Sequence, residues 1–208
     1  MGVVFDNAST CQNFNALVTG CGRAEGENMV GRTALVYKEH SKLAYYYNCT
    51  FAGNNAQCYV GDANNSADFY NCIFTDNAGG GFDGEYSSGH GKARFYNTYL
   101  QYNPSEWPRL HWKTHLPPFV HSGTLYETDG DPRLNKAGRY KLMSGSPLAD
   151  SGTAQTWARV FGANDAFGNP RVVNAQRRNP SDNTRFPAVI DRGAHEFQPG
   201  IGFKVIVR

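Results

Sequence analysis

The chain has 208 residues, enough to bury the core of one ordinary domain. Its formal net charge of +2 is too small to argue for nucleic acid or an anionic membrane as partner. No apolar run approaches the roughly 20 residues of a membrane span. Gly (23), Tyr (12) and Phe (13) are plentiful and no three-turn amphipathic helix is visible, so the composition points to an all-β chain with many turns.

Met1-Gly2 leads straight into Val3-Val4-Phe5 without a charged or apolar leader, so no signal peptide is visible. This predicts a natural start further upstream, or a recombinant fragment. Val3-Val4-Phe5, ahead of Asn7, reads as an echo of a repeat that becomes clear later, with Phe5 lying 46 residues before Phe51. The residues leave open whether one coil or two lie between. Gly20 to Gly31 has the composition of a loop. Cys11 and Cys21 could pair in an oxidising compartment, although five cysteines cannot all do so. No Cys-x-x-Cys spacing is present, so a structural zinc site is not expected.

The repeat declares itself at Tyr47-Asn48-Cys49-Thr50-Phe51, Tyr70-Asn71-Cys72-Ile73-Phe74 and Tyr96-Asn97-Thr98-Tyr99-Leu100, with the asparagines 23 and 26 residues apart. Stacked coils of a solenoid recur at such intervals. Before each asparagine the small and aromatic residues sit at −4 and −2 (Ala44 and Tyr46; Ala67 and Phe69; Ala93 and Phe95). After it they sit at +1 and +3. A straight strand cannot keep both sets inside, because a one-residue slip exchanges the faces. A corner between two short strands can. Asn48, Asn71 and Asn97 are therefore predicted to line one interior corner as a hydrogen-bonded ladder in a parallel β-helix. Leu35 and Cys58, each thirteen residues before an asparagine, mark the preceding strands of their coils. Cys49 and Cys72 read as small buried hydrophobes.

The same phase assigns the outward columns. Tyr47, Tyr70 and Tyr96 form one, stacked about 4.8 Å apart. Tyr45, Asp68 and Arg94 form a second, and Leu43, Ser66 and Lys92 a third. The next coil carries a Gly-rich insertion from Asn77 to Lys92 that includes Asp83, Glu85 and His90, and solenoid insertions often emerge on the binding side. Beyond Asn103, prolines flank an aromatic and basic stretch from Trp107 to His121, expected to fold over the open end or flank of the coils. His111 and His115 would share a helix face, but Pro117 and Pro118 argue for a loop.

Residues 129–208 carry Asp131-Pro132-Arg133-Leu134, Gly145-Ser146-Pro147-Leu148-Ala149-Asp150-Ser151-Gly152, Asp165-Ala166-Phe167-Gly168-Asn169-Pro170-Arg171 and Asp191-Arg192-Gly193-Ala194-His195-Glu196. This run resembles the closing segment of bacterial right-handed parallel β-helix repeat proteins. It departs from their usual pattern at Leu148-Ala149, Arg192 and His195. The resemblance covers residues 43–103 through the coil motif and 129–197 through the tail. It implies an all-β single domain with few coils, residues 1–128 forming coils and covering loop and 129–208 packing against them. It further implies a secreted or cell-surface protein that acts on or binds polysaccharide, as a lyase, a glycoside hydrolase or a non-catalytic glycan-binding or structural module. Asp150, Asp165 and Asp191 each precede a glycine within three residues and read as turn formers.

Candidate chemistry lies on the outward columns and the insertion. Tyr faces at 47, 70 and 96, with Trp107 and Trp112, offer platforms for sugar rings. Arg94 and Lys92 suit a uronate carboxylate, and Lys92, His90 or a tyrosine would serve as lyase base. Asp83 and Glu85, or Asp68, are the carboxylates a hydrolase would use. Against this stands a bland reading: an Asp68–Arg94 surface pair worth ~0–1 kcal/mol and tyrosines that merely cover a sheet. Asp62, Asn64, Asn65, Asp68, Asp76 and Asp83 supply hard oxygen atoms, so calcium is left open, but no ordered calcium-loop motif occurs and no other cofactor is expected. Asn7, Asn48 and Asn64 begin glycosylation sequons, accidental for an inward Asn48 and irrelevant in a bacterial protein. The residues do not indicate an oligomeric state.

Overall fold

The structure, a computed structural model, describes residues 3–6, 10–20, 33–38, 43–54, 57–61, 67–77, 82–84, 93–101, 119–120, 123–126, 131–152, 164–170, 191–195 and 197. Among them there is no helix. Strands succeed one another three to a coil. The first coil contributes β1 (Val3–Asp6), β2 (Thr10–Phe14) and β3 (Leu17–Thr19), and the second β4 (Thr33–Lys38), β5 (Leu43–Tyr47) and β6 (Thr50–Ala52). The third contributes β7 (Gln57–Gly61), β8 (Ala67–Tyr70) and β9 (Ile73–Thr75), and the fourth β10 (Phe82–Gly84), β11 (Ala93–Tyr96) and β12 (Tyr99–Leu100). A fifth adds β13 (Phe119–Val120) and β14 (Leu125–Tyr126). Corresponding strands pair in parallel into sheet 1 (β1-β4-β7-β10), sheet 2 (β2-β5-β8-β11-β13) and sheet 3 (β3-β6-β9-β12-β14), an arrangement consistent with a β-solenoid.

The corner between sheets 2 and 3 is where the apolar pattern changes phase. Asn48, Asn71 and Asn97 all have φ of 52° there, a left-handed conformation that asparagine tolerates better than most residues. The turn it makes lets Tyr46 and Cys49, three positions apart, both face the interior. The amides bond in series: Asn71 Nδ2 donates to Asn48 Oδ1 at 3.1 Å and Asn97 Nδ2 to Asn71 Oδ1 at 3.3 Å. A fourth member precedes them, since Asn48 Nδ2 donates to Asn15 Oδ1 at 3.4 Å and Asn15 has φ of 53°. The fifth coil places Gly123, φ 82°, at this position, against the Asn97 amide oxygen.

Three expectations change. Phe5 pairs with Tyr37 and not with a counterpart of Phe51, so the 46-residue echo was a coincidence of spacing. Leu35 pairs with Tyr59, one residue beyond Cys58, because the third coil is one residue shorter between that strand and its asparagine. Part of the stretch after Asn103 is a further coil, not only a cover.

Inside, rings stack from coil to coil: Tyr46 on Phe69 at 4.8 Å, Phe69 on Phe95 at 5.3 Å, and Phe51 on Phe74 at 4.6 Å. Each is buried and stabilises the fold by about 1.5–3 kcal/mol. Cys49 and Cys72 are buried free thiols. Cys72 Sγ donates to Tyr70 O at 3.4 Å, as Thr98 Oγ1 donates to Tyr96 O at 3.1 Å one coil on, so the thiol does a hydroxyl's work at the corner. Burial, and then the neighbouring Cys49 thiol, push the Cys72 thiol well above its usual range, which keeps it protonated and unreactive.

The C-terminal segment contains the antiparallel pair β15 (Leu134–Asn135) and β16 (Lys141–Leu142). It covers the outer face of sheet 3. Ile73 and Tyr99 pack there with Leu142 and Leu148, flanked by Leu134 and Phe197. Gly193 N–H donates to Asn71 O at 2.7 Å and Ala194 N–H to Thr50 Oγ1 at 2.8 Å. Asn15 Nδ2 donates to Asn164 O at 2.8 Å, and Asn97 Nδ2 to Ser151 O at 3.2 Å. The tail aspartates hold turns. Asp165 Oδ1 accepts from Phe167 N–H and Asn169 N–H, each at 2.8 Å, and buried Asp191 accepts from the backbone N–H groups of Asp150 and Phe197.

Candidate functional site

The outer face of sheet 2 carries the outward columns. Register pairs Phe14 with Tyr47, Tyr47 with Tyr70 and Tyr70 with Tyr96. Their rings form one stack, with centroids 5.0, 5.1 and 4.4 Å apart and planes within 19° of parallel. Tyr45 lies nearly parallel to Tyr47 at 6.1 Å. All are half-buried. This geometry changes the expected role of the tyrosines. Both faces of Tyr47 and Tyr70 are occupied by neighbouring rings, so neither can lie flat against a sugar. What the stack offers outward is its rim.

In the second column Tyr45 pairs with Asp68, and Asp68 with Arg94. Asp68 is only 4% exposed, although it points away from the core, because longer side chains flank it on both coils and Tyr70 stands beside it. Arg94 Nε donates to Asp68 Oδ1 at 2.5 Å and the Tyr70 hydroxyl to Asp68 Oδ2 at 3.4 Å. The ion pair is thus more enclosed than a surface pair. The Arg94 side chain is 33% exposed.

Electrostatics fix the protonation states. Burial, followed by the Asp68 charge, pushes the Tyr70 phenol above its ordinary value; Tyr47 is raised by burial, then by Tyr45 and Asp68. Burial opposes the charge on Arg94, yet the Asp68 hydrogen bond and charge more than offset it and hold the guanidinium above its usual value. At physiological pH Tyr47 and Tyr70 are neutral phenols and Arg94 is a paired guanidinium. Tyr70 is a hydrogen-bond donor here and a poor proton acceptor.

The remaining candidates fall elsewhere. Asp83 lies on β10, with its side chain outside the described residues, and Lys92, Glu85, His90, Trp107 and Trp112 lie outside them altogether, as do Asp62, Asn64 and Asn65. Among the described residues no group of three His, Cys, Asp or Glu side chains is placed to hold a metal ion; Asp76 pairs with Lys136 at 2.7 Å. No helix among them is long and apolar enough to cross a membrane. Phe14 was missed as a member of the stack, though Phe14-Asn15 repeats the aromatic–asparagine signal of the later coils.

No protein-family model matches the chain, and neither does any curated protein or solved structure. The family resemblance is carried by the coil and tail motifs alone.

Proposed function

We propose that this chain is a secreted or cell-surface right-handed parallel β-helix that binds polysaccharide through the outer face of sheet 2, as a binding module and not an enzyme. The observation that carries this reading is the continuous stack of Tyr47, Tyr70 and Tyr96, with Arg94 beside it. Half-buried rings held by their neighbours lose little conformational freedom on binding, and each phenol brings a hydrogen-bonding tip. A sugar polymer, rich in hydroxyls and repetitive, matches a row of repeated hydroxyls. Asp68 supports binding over turnover. Both of its oxygens are engaged, so it is not poised as a general base or nucleophile.

Affinity electrophoresis against neutral and uronic-acid polysaccharides, paired with assays for unsaturated products and new reducing ends, tests the reading. Retardation by at least one polysaccharide without product is expected, and Tyr70→Ala with Tyr96→Ala should abolish it. Release of product would replace the module with an enzyme, and direct attention to Arg94, Lys92, His90, Asp83 and Glu85. Absence of retardation across the panel would remove the polysaccharide reading.

A further inference from the structure

Independently of what sheet 2 binds, we infer that His195 makes the C-terminal cover of sheet 3 an acid-released latch: protonating its ring opens the cover while the coils stay folded. His195 is the only histidine among the described residues, and it stands where the tail departs from the pattern it resembles. The Leu142 N–H donates to His195 Nδ1 at 3.0 Å. A backbone N–H can only donate, so Nδ1 holds a lone pair and the proton of the neutral ring sits on Nε2. Little water reaches the contact, since His195 is 9% exposed and Leu142 4%. A second proton would set two donors against each other in a buried place. Either the Leu142 N–H loses its acceptor or the ring leaves.

Three stretches of the cover converge on this bond. Leu142 belongs to β16 and packs on Ile73, Tyr99 and Leu148. His195 ends the run whose Gly193 and Ala194 N–H groups hold Asn71 O and Thr50 Oγ1. The Ala194 carbonyl accepts from Ala166 N–H at 2.8 Å, and the His195 ring meets Phe167 edge-on with centroids 5.5 Å apart. Charged groups on these elements are Lys141, Asp165, Asp191 and Arg192. Lys141 Nζ lies 4.2 Å from the centroid of the Phe167 ring, and Arg192 is buried, so both cations disfavour another positive charge nearby. Asp165 and Asp191 favour one, but both already accept backbone N–H groups. With two charges of each sign, the contact at Nδ1 decides. Glu196, next in sequence, lies outside the described residues. What the opened latch uncovers is the apolar column of Ile73 and Tyr99.

Amide hydrogen exchange on the full chain tests this from about pH 7.5 to about 4.5, a window above the ordinary carboxylate range. A free imidazole takes up its proton near pH ~6.5, so below that pH the open cover binds a proton that the closed cover cannot hold. The latch is therefore complete above that pH and is lost as pH falls below it. Protection of the Leu142, Gly193 and Ala194 amides, corrected for the pH dependence of free amides, should fall by up to about ten-fold per pH unit, the limit for one proton. Phe69 and Tyr70 on sheet 2 should keep theirs. His195→Asn, which replaces the ring with an amide that does not titrate, should weaken protection equally at every pH and show no acid slope. Glu196→Gln should leave the wild-type slope intact. Nitrogen-15 spectra of the wild-type imidazole need no variant, and Nδ1 should be the nitrogen without a proton at neutral pH. Protection unchanged across the window, a slope that survives His195→Asn or vanishes in Glu196→Gln, a protonated Nδ1 at neutral pH, or equal loss of protection in the coils would each overturn the latch.

Discussion

The outer faces of sheets 2 and 3 are built from the same coils and meet at the same asparagine corner, yet they end in opposite states. On sheet 3 the outward residues Thr50, Ile73 and Tyr99 are buried beneath the C-terminal segment. On sheet 2 the outward Tyr47, Tyr70 and Tyr96 stay half-exposed and stack on one another. The side chains account for part of the difference, although Tyr99 is sealed as fully as Ile73. Ile73 has no polar tip to keep wet, and Thr50 offers an oxygen that takes the Ala194 N–H. The tyrosine row covers its apolar bodies by self-stacking and stays half-exposed, with the Tyr70 hydroxyl donating to Asp68. Outward-facing in a solenoid thus means two things, and which one holds depends on whether another segment covers the column.

The sharpest way to break the sealed face is Gly193→Ala. Gly193 has φ of 85°, and a Cβ there would collide with Ile73 Cδ1 and come within 2.6 Å of Thr50 Oγ1. The left-handed backbone costs about 1–2 kcal/mol for alanine and the overpacking about 1–3 kcal/mol. A fall of roughly 3 kcal/mol in urea unfolding is expected, with the loss concentrated in the tail by hydrogen exchange; an unchanged midpoint would contradict the packing described. Next in size is the shared corner. Asn71→Ala forfeits both the amide ladder and the left-handed preference, about 2–4 kcal/mol, whereas Asn71→Gly keeps the backbone preference and should lose only about 1–2 kcal/mol. Equal losses in the two variants would mean that φ is immaterial.

A smaller effect separates the open face. The Tyr70 phenol titrates higher in the fold than its ordinary value of 10.0. Its contribution is complete below that pH and is lost as pH rises beyond it toward the folded value, because the unfolded chain gives up the proton first. Stability measured from pH 8 to 12 should begin to fall near pH 10, and Tyr70→Phe should flatten that slope. A slope identical to wild type would place the alkaline sensitivity elsewhere. Smallest of all, Tyr47→Phe should change stability by no more than about 0.5 kcal/mol, since it keeps the stacked ring and removes only an oxygen at the rim.

Much of the corner was legible in the residues because its physics is local. A phase change at an asparagine, repeated at intervals of 23 and 26, specifies which residues face in, and from that follow the Asp68–Arg94 and Tyr70–Tyr96 pairings. Asn15 escaped because 33 residues separate it from Asn48, a long excursion that hides the period. Gly123 escaped because the fifth coil uses the other residue suited to positive φ, and so carries no amide to recognise. The burial of Asp68 and the closing of the ring faces depend on side-chain lengths in adjacent coils, which a spacing argument does not weigh. The tail's contacts bridge as many as 149 positions, as between Asn15 and Asn164, and no periodicity announces them.

Those contacts have a consequence for the evolution of length. The tail grips the corner at Asn15, Thr50, Asn71 and Asn97, one hold on each of four successive turns, and buried Arg192 closes the series by donating to Thr98 O and Asn97 Oδ1. Duplicating a turn in the middle would extend the stack but leave these holds one step out of register. The tail therefore acts as a gauge: a descendant with an added turn would have to lengthen its strap in the same event.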